Sequence, residues 1–176
     1  VTINEIVSML REKTAILYEY AGRAGAMIGL DTSNMNHPLV ELLADITCKC
    51  GIAFQLQDDI LGVIGKTEKT GKPVSSDIIK GKRTTIVRYS WENANRNEQK
   101  KLEYLLNLGE RLSSKQLQET KELLLDLEGI DRTKKLASEF VGKASRLLEK
   151  IPNNNYSRKY IILLKSWIDF MVNRNL

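Results

Sequence analysis

Histidine occurs once, at His37, and cysteine twice, at Cys48 and Cys50. A zinc site built from several histidines is therefore excluded. A metal held by this chain must be bound through oxygen, which points to Mg²⁺. The two cysteines stand two residues apart in a stretch that reads as helix. They face different sides there, cannot pair with each other, and read as buried free thiols. No apolar run approaches the roughly 18–20 residues that a membrane span needs, so no integral membrane segment is expected. The N-terminal VTINEIVSML has no basic segment ahead of an apolar core. No signal peptide is visible, and the expected location is cytoplasmic.

The chain has 176 residues, 42% hydrophobic and 28% charged, enough for one domain with a real core and too few to expect two. Its net charge, 27 − 22 = +5, is unevenly spread. Between Gly65 and Arg83 lie Lys66, Lys69, Lys72, Lys80, Lys82 and Arg83 against only Glu68 and Asp77, a local balance of 6 − 2 = +4. The rest of the chain is nearly neutral. That concentration indicates a local anion site and argues against a nucleic-acid surface spread over the domain.

No stretch alternates like a strand, and the chain reads as all-α. Thr2 and Glu5 form a capping box that starts a helix near Ile3. The apolar pattern continues through Lys13–Leu30, where Gly22, Gly25 and Gly29 should allow close helix–helix approach. DTSNMNHP (Asp31–Pro38) reads as a turn. Proline is then absent from Leu39 to about Ile64, so one helix of roughly 26 residues, about 39 Å long, is expected there. It is apolar over much of its circumference and should be central. Gly65–Thr84 reads as loop, long enough to be functional or mobile. Helices are expected over Thr85–Asn93, Asn97–Leu108, Ser113–Leu127, Asp131–Glu149 and Ser157–Asn173. No internal repeat or low-complexity segment is present.

The chemistry gathers where the long helix ends. Residues at i, i+3, i+4 and i+7 share a helix face, so Gln55, Asp58 and Gly62 line up, with Asp59 to one side. Two acids in apolar company on a central helix are costly unless paired or bound to metal. The following stretch offers Lys72 and Lys82, each beside a glycine that lets backbone approach a ligand. Lys13 and Thr14 interrupt an otherwise apolar helix face. Carboxylates for a cation and ammonium groups for phosphate oxygens are what a metal-bridged polyanion needs.

FQLQDDILG followed by GKPVSSDI and GKRT resembles the second aspartate-rich region of the trans-isoprenyl diphosphate synthases, and KTAIL resembles the Lys-Thr helix that precedes it in that family. The GKP after DDILG is similar to the archaeal and bacterial short-chain enzymes that make farnesyl or geranylgeranyl diphosphate. The resemblance implies the all-helical isoprenoid synthase bundle and a prenyltransferase that condenses isopentenyl diphosphate with an allylic diphosphate. It implies Asp58 as Mg²⁺ ligand with Asp59 in support. Lys72, Lys82 and Lys13 would bind the allylic diphosphate. Thr14 and Gln55 would place oxygen dipoles near the allylic cation. Phe54 would flank the cavity, and Asp77 would hold the lysine loop. The family's motif is DDxxD, and Gly62 stands here at its fifth position, one potential ligand fewer.

A first DDxxD motif is missing from this sequence, and family members are about twice as long. The chain therefore resembles the C-terminal half of such a synthase. Its expected partners are the two substrates and the missing half or a second subunit, with homo-oligomerisation also expected. The alternative is a non-catalytic helical partner of a complete synthase. Such subunits usually lose an aspartate motif, which this chain keeps. A terpene cyclase would carry an Asn/Asp-Ser/Thr-Glu motif, absent here.

Overall fold

A computed structural model describes residues 1–65, 75–152, 154 and 157–173. The described elements are helices: α1 (Ile3–Leu10), a π-helical turn (Arg11–Ala15), α2 (Ile16–Gly29), α3 (Pro38–Ile64), α4 (Ser76–Ile79), α5 (Thr85–Asn93), α6 (Arg96–Leu108), a 3-10 turn (Gly109–Arg111), α7 (Ser114–Asp126), α8 (Gly129–Leu148) and α9 (Arg158–Phe170). No strand occurs among the described residues, so the all-α expectation holds. The chain divides into two compact units, one of Val1–Ile6 with Leu56–Lys135 and one of Val7–Gln55 with Leu136–Asn175.

Local sequence explains most of the boundaries. Thr2 Oγ1 accepts from the Glu5 amide at 3.3 Å, and Glu5 accepts from the Thr2 amide at 2.6 Å. This reciprocal box opens α1 and holds the Glu5 carboxyl below its usual pKa range, chiefly through that Thr2 amide. Asn95 with Glu98 and Ser113 with Gln116 form the same device at α6 and α7. Pro38 opens α3 at the first helical position, where its missing N–H costs nothing. Two expectations need correction. The stretch expected to be continuous helix from Lys13 contains a π turn. The stretch expected to be loop contains α4, because Ile78 is 2% exposed and anchors it in a core. Burying one such side chain is worth about 2–3 kcal/mol, enough to hold a single helical turn.

In the unit of Leu56–Lys135 the core is Ile60 and Val63 from α3, Ile78, Ile86, Leu102, Leu106, Leu124 and Ile130. In the other unit Ile46, Cys50 and Ala53 of α3 pack with Ala144, Leu148, Ile168 and Met171, flanked by Phe54, Phe140 and Trp167. The Tyr18 ring lies 5.7 Å from that of Phe54 and 6.2 Å from that of Trp167, centroid to centroid. Both cysteines are buried and unbonded to each other, and burial pushes the Cys50 thiol up to about 12.

Of the three glycines expected to permit close helix approach, Gly22 does so: a Cβ there would stand 2.8 Å from the Leu43 carbonyl oxygen. Gly25 and Gly29 face open space. That open side of α2 is apolar, with Leu17 70% and Ile28 81% exposed and Tyr20 beside them. By contrast α3 is covered along most of its length; of its large apolar residues Ile64 is the exposed one.

Candidate functional site

Within the unit of Val7–Gln55 the Lys-Thr pair sits on the π turn. The Ile16 amide reaches back five residues to the Arg11 carbonyl. The extra residue shifts the register of everything before it relative to α2, a distortion that recurs at functional sites. Ala15 is fully buried against α3 at Gly51, where a Cβ would lie 2.7 Å from the Ala15 Cα. That backbone-on-backbone approach is possible only because residue 51 has no side chain. One helical turn further along α3, Thr14 Oγ1 donates to Gln55 Oε1 at 2.8 Å. The sequence reading placed Thr14 and Gln55 at one site, and the structure joins them across 41 residues of chain. The donation leaves lone pairs of the Thr14 oxygen available as acceptors. Lys13 is exposed next to it, and Phe54, partly buried, packs on Tyr18. The reading missed the π turn and the role of Gly51. The signal available was a glycine four residues before Gln55 in a helix with no other need for one.

Within the unit of Leu56–Lys135, α3 carries Asp58, partly exposed, and Asp59, 4% exposed. The next turn of α3 is where the lysine stretch returns. Ser75 Oγ donates to the Val63 carbonyl at 3.1 Å, satisfying one of the carbonyls orphaned at a helix end. Ser75 holds a left-handed φ of 62° to do so, a conformation that is uncommon for serine. Asp77 is buried against Gly62, and its Oδ1 accepts from Lys82 Nζ at 2.6 Å. Gly81, with φ 59°, makes the turn that brings Lys82 back, and the Lys82 amide donates to the Asp77 carbonyl at 3.0 Å. Lys82 is thus tied to Asp77 through both backbone and side chain. Asp77 and Lys82 also line a small pocket with Val63, Ile78, Val87 and Leu106. Arg83, counted with the anion-binding cations from sequence, instead donates to Asn107 Oδ1 at 2.9 Å. Lys72 lies outside the described residues.

The donor set suits one kind of metal. Among the described residues no group of three or more acidic, histidine or cysteine side chains is assembled around a common point. Mg²⁺ retains water and is usually bound by one or two carboxylates plus substrate phosphates, which is the number of carboxylates that Asp58 and Asp59 provide.

Known proteins resemble this chain along nearly its whole length. The polyprenyl synthetase family matches residues 1–124. A geranylfarnesyl diphosphate synthase of Aeropyrum pernix is 32% identical over 174 residues, 99% of this chain and 51% of that protein. The solved geranylgeranyl pyrophosphate synthetase of Pyrococcus horikoshii superposes with a TM-score of 0.83 at 32% identity, covering 99% of this chain and 50% of that one. A polyprenyl synthase of Caulobacter crescentus, solved with calcium and isoprenyl diphosphate, gives 0.84 at 26% identity over 100% of this chain and 51% of that one. The chain spans about half the length of the curated relatives it matches. With a helical fold shared along its whole length and the family's match running through the π turn, the paired aspartates and the Asp77–Lys82 pair, the chain belongs to the polyprenyl synthetase family.

Proposed function

We propose that this chain carries the second metal- and diphosphate-binding region of a prenyltransferase. The reaction joins isopentenyl diphosphate to an allylic diphosphate, giving a short all-trans prenyl diphosphate of the farnesyl or geranylgeranyl class. The observation that carries the reading is the acid-and-base arrangement at the end of α3. Asp58 and Asp59 precede Gly62 by one turn, and Lys82 is held at Gly62 by a buried carboxylate.

Asp58, with Asp59 behind it, would hold Mg²⁺, which when bound offsets charge on the departing diphosphate. Lys82 would supply an ammonium for the diphosphate oxygens, and its pairing with the buried Asp77 carboxylate restricts where that ammonium lies. Lys72 and Lys13 are the further cations of the proposal. A preset ammonium stabilises charge as it develops without reorganising at that moment. The Thr14 hydroxyl, oriented by its donation to Gln55, would present oxygen lone pairs toward a developing allylic cation. Phe54 and Tyr18 supply an apolar wall that would keep water from such a cation. The complete enzyme requires a first aspartate motif from outside these residues, and the open apolar side of α2 supports further helical structure packing there, from the rest of a synthase or from another copy. Among the described residues no helix is long and apolar enough to cross a membrane. A cytoplasmic location is part of the proposal.

The test is Asp58→Asn in the complete synthase. The substitution keeps the shape and removes the charge. Turnover of an allylic diphosphate with isopentenyl diphosphate should fall by orders of magnitude, since several kcal/mol of leaving-group stabilisation are lost and each 1.4 kcal/mol is about tenfold. Thermal stability should change little beside that loss, because Asp58 is partly exposed. Glu68→Gln should change little. Near-normal turnover in Asp58→Asn would reject the assignment.

A further inference from the structure

A side chain is missing from the active face of α3 at the point where Asp58 is one turn away. A Cβ built on Gly62 would stand 2.5 Å from Asp77 Oδ2, 2.7 Å from its Cγ and 3.3 Å from its Cβ. The first two distances are well inside van der Waals separation, so the Asp77 carboxylate occupies the space that any residue other than glycine would need. Gly62 does not owe its place to backbone conformation, because it lies inside α3 with no positive φ. Nor does α3 gain from it, because glycine is a poor helix former in a helix interior. What the vacancy accomplishes is to let a carboxylate from α4 lie against α3. That carboxylate is buried at 8% exposure and holds Lys82 Nζ at 2.6 Å. Ser75, with its left-handed φ of 62° and its hydrogen bond to the Val63 carbonyl, also fixes the start of α4 to this turn of α3.

We infer that Gly62 is a positioning residue: the socket that seats Asp77, which in turn aims Lys82. The inference rests on the proposed role of Lys82 in binding diphosphate. It also reverses the simplest view of Gly62 as a lost metal ligand. Restoring an aspartate at position 62 would not add a useful carboxylate. It would collide with Asp77, set two like charges together and release Lys82. Asp77 would relieve the collision by rotating about χ1, which carries its carboxylate, and the Lys82 ammonium paired with it, away from the position they now hold.

The experiment is a double-mutant cycle between positions 62 and 77, read by thermal melts and by calorimetric binding of inorganic diphosphate in the presence of Mg²⁺, on the full chain. Gly62→Ala should lower Tm, by about 3 °C or more, although alanine is the better helix former. In the Asp77→Ala background, which removes the two atoms nearest the socket, the same substitution should be neutral or raise Tm. Diphosphate binding should weaken by about tenfold, or 1.4 kcal/mol, in Gly62→Ala, Gly62→Asp and Asp77→Ala alike, and Gly62→Ala/Asp77→Ala should be no weaker than Asp77→Ala alone. Additive effects on Tm, or a Gly62→Ala protein that melts higher than wild type, would overturn the socket. Wild-type binding that Gly62→Ala leaves unchanged would overturn the positioning of Lys82. Coupled melts in a chain that does not bind diphosphate at all would uphold the socket and instead reject the proposed diphosphate site.

Discussion

Replacing Gly51 by alanine tests how the Lys-Thr turn is held. In an ordinary helix interior the change favours folding by about 1 kcal/mol, because glycine loses more backbone freedom. Here the new methyl would stand 2.7 Å from the Ala15 Cα, 2.9 Å from its Cβ and 2.9 Å from Tyr18 Cδ2. Two of those atoms belong to a fully buried residue on the neighbouring turn and cannot rotate away. The backbones must separate, and overpacking of that kind costs about 1–3 kcal/mol. Separation by a few tenths of an ångström also lengthens the 2.8 Å Thr14–Gln55 bond one turn away, a loss of about 1 kcal/mol. The sum is a net destabilisation of about 1–3 kcal/mol, or roughly 3–10 °C in Tm for a chain of this size. Urea unfolding would measure it, with an unchanged m-value showing that the denatured state is unaffected. The coupling is checked with Thr14→Val, which should cost less in the Gly51→Ala background than in wild type, because the hydrogen bond is already weakened. A Gly51→Ala protein more stable than wild type, with Thr14→Val fully additive, would refute the reasoning.

Thr14→Val alone should lower stability by about 1 kcal/mol but reduce turnover of the complete synthase more than that loss explains, because it removes the oxygen proposed to face the cation. Cys50 ionises near 9 when exposed and is pushed to about 12 by burial. The stability gained from keeping it neutral is complete below the unfolded value and is lost as pH rises from about 9 toward 12. Between pH 9 and 11 wild type should therefore lose about 2 kcal/mol more than Cys50→Ala, measured by urea unfolding at each pH. Neither Cys48 nor Cys50 should react with a thiol reagent at pH 8 until the chain is unfolded. Ile28→Asp, on the exposed apolar side of α2, should reduce self-association of the chain in sedimentation without lowering its Tm; unchanged association would show that this side is not the one involved.

The helices were legible because their signals are local. The Thr2–Glu5 box, Pro38, the unbroken Leu39–Ile64 pattern and the Ser113 cap each act within a turn or two of chain, where spacing decides geometry. The clustering of Gln55, Asp58 and Gly62 on one face followed from the 3.6-residue period alone, whereas the hold of Asp77 on the lysine stretch came only from the family resemblance. What could not be read was anything set by contact between distant segments. The π turn at Arg11–Ala15 carries no local signal in the sequence, and it ends on Ala15, which meets Gly51, 36 positions away. The short helix at Ser76–Ile79 lies in a stretch of glycines and lysines that argues locally for loop, and it persists because Ile78 finds a core. Gly25 and Gly29 look in sequence like Gly22, yet only Gly22 has a neighbour close enough to need it. Gly62 reads in sequence as one aspartate fewer, whereas the fold fills its place with the carboxylate of Asp77. Local chemistry determined the long helices, their caps and the charge pattern. Tertiary packing alone decided which glycines are contacts, which carboxylate seats a lysine, and where α2 is left open.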